Sequence, residues 1–167
     1  MPRPTMENVR SLDDYLVLYD WDISIVKPPV GAPVPPDFNF HAISATIPGA
    51  SNELIEVNIR GHKVQQPGLI TYNSVELTVQ ELNTAPVIKF ISGWREAQWK
   101  TNTGYQEKRN DSSAELLMNL MNRQNEVVRT FKVKGCHLED YNLGDAGGEG
   151  EAMQPSLTIK YDYFEES

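Results

Sequence analysis

The sequence predicts a mainly β fold: a two-sheet antiparallel β-sandwich or partly closed barrel with one flanking α-helix. Three observations predict it. Several short segments alternate apolar and polar residues with a period of two, the pattern of half-buried strands. Only one long segment changes to a helical period. Proline and glycine punctuate the intervals, so neighbouring strands read as hairpins and the sheets as antiparallel.

The first dozen residues, through about Leu12, are polar and carry Pro2 and Pro4; residues 1–14 read as a flexible arm with a short helical turn near Ser11–Tyr15. In Tyr19–Val26, Tyr19, Trp21, Ile23 and Ile25 alternate with Asp20, Asp22 and Ser24, which is a half-buried strand. The proline-rich stretch after it, Pro28–Pro36, cannot be a strand interior and reads as an extended loop. Phe38–Ile47 is expected as the second strand, ended by Pro48-Gly49, and Glu53–Arg60 as the third, with Ile55, Val57 and Ile59 on one face. Gly61–Asn73, carrying Gly61 and Pro67-Gly68, reads as turns. Ser74–Leu82 is a strand with Val75, Leu77 and Val79 on one face.

The period then changes. In Pro86–Trp99, Val87, Phe90, Ile91, Trp94 and Gln98 share a helical face, Pro86 suits the first turn and Thr84 is the expected cap. Ser113–Asn122 fits a helical stripe through Leu116, Leu117, Leu120 and Met121, and also a strand with Leu116, Met118 and Leu120 on one face. Gln124-Asn125 and the strand after it favour a hairpin, a reading that leans partly on the family resemblance given below. That strand is Val127–Cys136, with Arg129, Phe131 and Val133 opposite Thr130, Lys132 and Lys134. Residues 139–155 form an acidic, glycine-rich loop, and Ser156–Phe164 is the last strand, with Leu157, Ile159, Tyr161 and Tyr163 inward. The expectation is about seven strands and one helix.

Length and composition fit this fold. A chain of 167 residues suits a single domain, 1–167, and 40% hydrophobic residues suffice for a core. The formal net charge of -8 repels phosphate, which argues against gripping a duplex. The single cysteine, Cys136, excludes an intrachain disulfide and suits a reducing compartment. The N-terminal residues lack the apolar stretch of a signal peptide, and no segment has the length of a membrane span. The expectation is therefore a protein folded in a cytoplasm and away from membranes.

No catalytic or metal site is legible. His41, His62 and His137 make no metal spacing with Cys136. Cys136 and His137 are adjacent on one strand and so point to opposite faces, which disfavours a thiolate–imidazole pair. The glycine-rich loop is set among Asp145, Glu149 and Glu151, whose charge opposes phosphate. Asp20 and Asp22 share a strand face and could act as an acid/base pair, although solvated surface carboxylates are the plainer reading. No cofactor is expected.

A series of stretches carries a family resemblance: SATIPG (Ser44–Gly49), RGHKVQQPGLITYNSVELTV (Arg60–Val79), the helix FISGWREAQW (Phe90–Trp99), a hairpin ending in Val133–Gly135, and LTIKYDYF (Leu157–Phe164). Their order and spacing, from about Tyr19 to Phe164, resemble the tail tube proteins of contractile-tailed bacteriophages. The family's proline after Lys-Gly is replaced near Leu138, and the acidic loop is longer than the family's.

The resemblance implies a non-enzymatic structural subunit. Such subunits form homohexameric rings, each giving four strands to a continuous barrel, and the rings stack into a tube. Double-stranded DNA transits the lumen unbound. A tape-measure protein fills the tube, a sheath surrounds it, and baseplate and tail-terminator proteins close its ends. The implied location is the virion tail, assembled in the host cytoplasm. Candidate lumen residues are Glu56, Asn58 and Arg60, then Thr130, Lys132 and Lys134, with Glu115 and Asn119 between them. Candidate ring-to-ring contacts are Pro48, Gly49, Ala50, Ser51 and Asn52, with Gln65, Gln66, Pro67, Gly68 and Leu69; the arm and the loop Asp145–Glu151 are further candidates. The competing readings are a tube subunit of a bacterial contractile injection or type VI secretion device, a monomeric β-sandwich binding module, and an enzyme using Asp20 and Asp22.

Overall fold

The computed structural model describes residues 5–13, 15–148 and 150–167; Pro2 and Pro4 of the expected arm, its Asp14, and Glu149 of the acidic loop lie outside the described residues. The alternating runs form strands β1 (Trp21–Lys27), β2 (Ala42–Ala45), β3 (Ala50–Ile59), β4 (His62–Tyr72), β5 (Val75–Val79), β6 (Ala114–Met121), β7 (Val127–Asn142), β8 (Ser156–Lys160) and β9 (Tyr163–Glu166). The helices are α1 (Met6–Arg10), α2 (Phe38–His41), α3 (Pro86–Gln98) and α4 (Arg109–Ser112). The fold is mainly β and antiparallel, as expected.

The larger sheet runs β1-β6-β7-β8-β5-β2, with β9 also on β7. Strand β7, at 16 residues, belongs to two layers. Its first part pairs with β6 and β9, and its second part, from His137, pairs with β8. Gly135 stands at the change of layer with φ 68°, a left-handed conformation that glycine adopts without steric cost. The layers β1-β6-β7-β9 and β7-β8-β5-β2 thus share one bent strand. Asn39 of α2 accepts a bond from the Ile23 backbone N–H at 2.9 Å, tying the segment before β2 to the opposite edge strand β1. The barrel is narrowed there without being closed by a ladder.

Between the layers Ile23, Leu116, Met118, Phe131 and Val133 meet Val75, Leu77, Leu157 and Ile159. Complete burial of an aliphatic side chain contributes roughly 1.5–3 kcal/mol. Helix α3 inserts Val87, Phe90, Ile91 and Trp94 into the same core, and Trp94 Nε1 donates to the Ser112 carbonyl at 3.0 Å. At its far end the Gln98 amide donates to the Leu138 carbonyl (3.0 Å) and accepts from the Leu138 N–H (2.8 Å), so α3 is clamped to β7.

Several expectations are corrected. Phe38–Ile47 is not one strand: Phe38 and His41 are buried from a helical turn, and only Ala42–Ala45 is extended. Gly61–Asn73 is not a run of turns. Arg60 (φ 49°) and Gly61 (φ 82°) make a two-residue hairpin turn, and strand β4 follows. Pro67 falls opposite Leu54 at a register shift, where a missing N–H is tolerated.

The expected final strand is broken at Tyr161-Asp162, which reverses the alternation: Phe164 packs on the core and Tyr163 is 42% exposed. The strand before the acidic loop runs on to Asn142, so residues 139–142 are extended. The N-terminal helical turn is Met6–Arg10, ahead of the place expected. Helix α3 begins as expected, but Thr84 does not cap it. The Glu81 carboxylate accepts from the N–H groups of Leu82, Val87 and Ile88, at 2.8, 3.3 and 2.7 Å.

Candidate functional site

Hairpin β3–β4 has no ladder to the larger sheet. Its register places Val57 opposite Val64, Ile55 opposite Gln66 and Ile59 opposite His62, so Ile55, Val57, Ile59 and Val64 share one face. The other face carries Glu56, Asn58, Lys63 and Gln65, with Lys63 Nζ 3.0 Å from Glu56. The apolar face meets solvent: Val57 is 43% exposed and Ile59 55%. Among the described residues the hairpin is anchored at its root. The Tyr72 ring packs against Tyr161 and Phe164 at 5.8 and 5.7 Å between centroids, and the Asn73 N–H donates to the Gly49 carbonyl at 2.9 Å. An isolated two-stranded hairpin is marginal in water, and apolar patches of this extent mark interaction sites.

The second candidate surface is the outer face of β1-β6-β7-β9. Cross-strand rows run Asp22, Asn119, Thr130 and then Ser24, Leu117, Lys132, Glu165. In the first row the Asn119 amide donates to Asp22 at 2.8 Å, and the Thr130 hydroxyl donates to Asn119 at 2.9 Å. Lys134 Nζ lies 4.0 Å from Glu165. Glu165 thus neighbours both Lys132 and Lys134 on this face, and the outer sides of β1 and β9 carry no ladder partner among the described residues.

The predicted residues separate into two groups. Glu115, Asn119, Thr130, Lys132 and Lys134 stand on this one sheet face. Glu56 and Asn58 stand on the polar face of the hairpin, and Arg60 is in its turn. The two predicted contact segments lie on this hairpin but are offset along it: Ala50, Ser51 and Asn52 pair with Tyr72, Thr71 and Ile70, whereas Gln65, Gln66 and Pro67 pair with Glu56, Ile55 and Leu54. Sequence reasoning missed β4, and with it the exposed hairpin. The readable signal was the Arg60-Gly61 turn followed by alternation of Lys63 and Gln65 with Val64 and Gln66.

Cys136 is fully buried and its thiol is pushed up to about 12, chiefly by desolvation. His137 faces the other way, into a polar hollow of about 410 Å³ lined by Arg109, Glu115, Lys134 and Asp162. Burial, then the Arg109 guanidinium, holds its pKa below the ordinary imidazole value. Arg109 is bonded to Asp162, and its Nε donates to His137 Nε2 at 3.5 Å, so the cluster fastens α4 to the β7 bend. Among the described residues no group of three or more His, Cys, Asp or Glu is placed to hold a metal, and no helix is long and apolar enough to cross a membrane.

The overall fold recurs in solved structures. A chain of the anti-feeding prophage baseplate superposes with a TM-score of 0.68 at 13% identity, over 93% of this chain and 97% of that one. The chain has the tail-tube fold. A chain of the extracellular contractile injection system PVC, in its sheath–tube complex, matches with a TM-score of 0.63 at 14% identity, over 99% of both chains. The SPP1 tail tube matches with a TM-score of 0.52 at 14% identity, covering 91% of this chain and 78% of that one. No family model matches the chain, and no curated protein matches it either.

Proposed function

We propose that the chain is the repeating structural subunit of a contractile-machine tube, built of stacked rings of identical copies. The observation that carries this reading is the β3–β4 hairpin, an amphipathic element whose apolar face has no cover among the described residues. A neighbouring copy supplies that cover. The edges of β9 and of β1, the latter apart from the Ile23 N–H that Asn39 accepts, add a second reason to associate, because unpaired ladder groups are satisfied when copies close a circle. Four strands per copy, β1-β6-β7-β9, then line the passage. Glu115, Asn119, Thr130, Lys132 and Lys134 face the lumen, joined by Glu56 and Asn58 when the hairpin lies on its neighbour. Pro48–Asn52 and Gln65–Leu69, along the hairpin, meet the next ring.

A lumen with acids beside each lysine, on a chain of net charge -8, offers little counterion release to a duplex. That suits transit of double-stranded DNA without capture, in a phage-type tail with a tape-measure protein inside and a sheath outside. A second reading, a bacterial injection device with another cargo, is supported by the higher TM-score of the extracellular contractile injection system chain, 0.63 against 0.52 for the SPP1 tail tube. Neither reading requires catalysis. Electron microscopy of the purified protein tests the proposal: rings or tubes with an open centre are expected, and single particles of monomer size at high concentration would overturn it.

A further inference from the structure

A second apolar surface without cover among the described residues precedes β1. Residues 15–19 read Tyr-Leu-Val-Leu-Tyr, and Tyr15 (74%), Leu18 (73%) and Tyr19 (73%) meet solvent. The end of this run is fixed: the Met121 N–H donates to the Asp20 carbonyl at 2.9 Å and seats it against the end of β6. A shallow hollow opens on each side. One, of about 220 Å³, has Tyr15, Leu16 and Val128 in its wall; the other, of about 240 Å³, has Tyr19, Trp21 and Ile43. Five consecutive apolar residues exposed beside two hollows mark a contact surface.

The apolar face of hairpin β3–β4 is the other uncovered surface, and the two lie apart. The hairpin root packs on Phe164, which pairs with Val133, whereas the apolar run lies beside Val128. From Val128 to Val133 is roughly 16 Å at the rise of a strand. We propose that the hairpin of one copy seats Ile55, Val57, Ile59 and Val64 on the Tyr15–Tyr19 run of another copy. The inference rests on the tube reading and names the surface that receives the hairpin. Area supports a second copy as the occupant: the exposed side chains of the two surfaces together offer on the order of 1,000 Å², the size at which a specific interface begins. The two surfaces differ and stand at separate ends of the first part of β7. Their contact is therefore heterologous and repeats head to tail, as rings and stacks require, whereas a like-to-like contact stops at a pair. Tyr15 and Tyr19 act as aromatic anchors, and the branched side chains of the hairpin fill the hollows beside them.

Single added cysteines test it on the full chain, because native Cys136 is buried. Val57→Cys is mixed in turn with Tyr15→Cys, Leu18→Cys and Val128→Cys, and oxidised at a concentration where the wild-type protein assembles. A disulfide between the two different proteins is expected in at least one mixture. Only like-to-like disulfides, or none in all three mixtures, would overturn the contact. Leu18→Asp buries an unpaired charge in the contact, so it is expected to raise the concentration needed for assembly about tenfold or more. Its thermal unfolding should match the wild type, because Leu18 is exposed in the free subunit. Normal assembly of Leu18→Asp would overturn the contact while leaving the tube reading standing. Loss of the fold in that variant would also overturn it, because the run would then be packed within its own chain. A wild-type protein that never assembles would sink the tube reading itself.

Discussion

The Asp162 carboxylate occupies the space in which a side chain on Gly135 would begin, so an added Cβ there would overlap it. This contact holds the bend at which β7 leaves one layer for the other. Gly135→Ala meets both the overlap and a left-handed backbone, and is expected to lower stability by about 1–3 kcal/mol. The denaturation midpoint measures it. Combining Gly135→Ala with Asp162→Ala should recover only the overlap, because φ at 135 is unchanged.

Val57→Asp puts a charge on the apolar face of the hairpin. In the free subunit that face is exposed, so unfolding should shift by no more than about 0.5 kcal/mol. In an assembly the charge is buried without a partner, and rings should be lost. Sedimentation velocity reads assembly and thermal unfolding reads the fold. Equal loss of both would mean the hairpin packs within its own chain.

Proline separates inner from outer ladders. The Thr130 N–H donates to Ser167 at 2.9 Å and the Ser167 N–H returns the bond at 3.0 Å. Thr130→Pro therefore breaks the subunit's own sheet and should lower its melting temperature. Glu166, beside that pair and opposite Phe131, turns its N–H to the open side of β9. Glu166→Pro should leave cooperative unfolding intact and prevent ring closure, as seen by electron microscopy.

His137 adds a pH dependence. Its folded pKa is lowered, so the unfolded chain takes up the proton first as pH falls. Its contribution to stability is complete above the ordinary imidazole value of about 6.5 and is lost as pH drops below it. Arg109 on α4 and Asp162 after β8 face it across the hollow, with Lys134 and Glu115 on its rim. Denaturation from pH 7.5 to 5 should show this loss, and His137→Gln should flatten it.

Much of the fold was legible in local pattern. The alternation of Ile23 and of Phe131 and Val133 set the faces of two inner strands, and the stripe Val87-Phe90-Ile91-Trp94 set the helix, whereas the segment of Leu116 and Met118 fitted a helical stripe as well and took its place as a strand with the help of the following strand and the resemblance. The failures arose where tertiary contact decides. Phe38 and His41 bury from a helical turn that alternation cannot distinguish from a strand. The break at Tyr161-Asp162 depends on a carboxylate meeting a distant bend. Thr84 lost the cap of α3 to Glu81 because the chain turns back at Ala85, where φ is 53°. The candidate lumen residues were legible as polar faces, but their division between sheet and hairpin was not. Reading Pro67-Gly68 as a turn concealed the strand that pairs with Glu56 and Asn58.

Hydrogen–deuterium exchange on the hairpin, compared between dilute and concentrated protein, bears most directly on assembly. Amides of β3 and β4 should exchange quickly in the dilute subunit and become protected when copies associate, while those of β8 stay slow throughout. Hairpin amides that are already slow in a dilute monomer, or remain fast in the assembled state, would contradict the account.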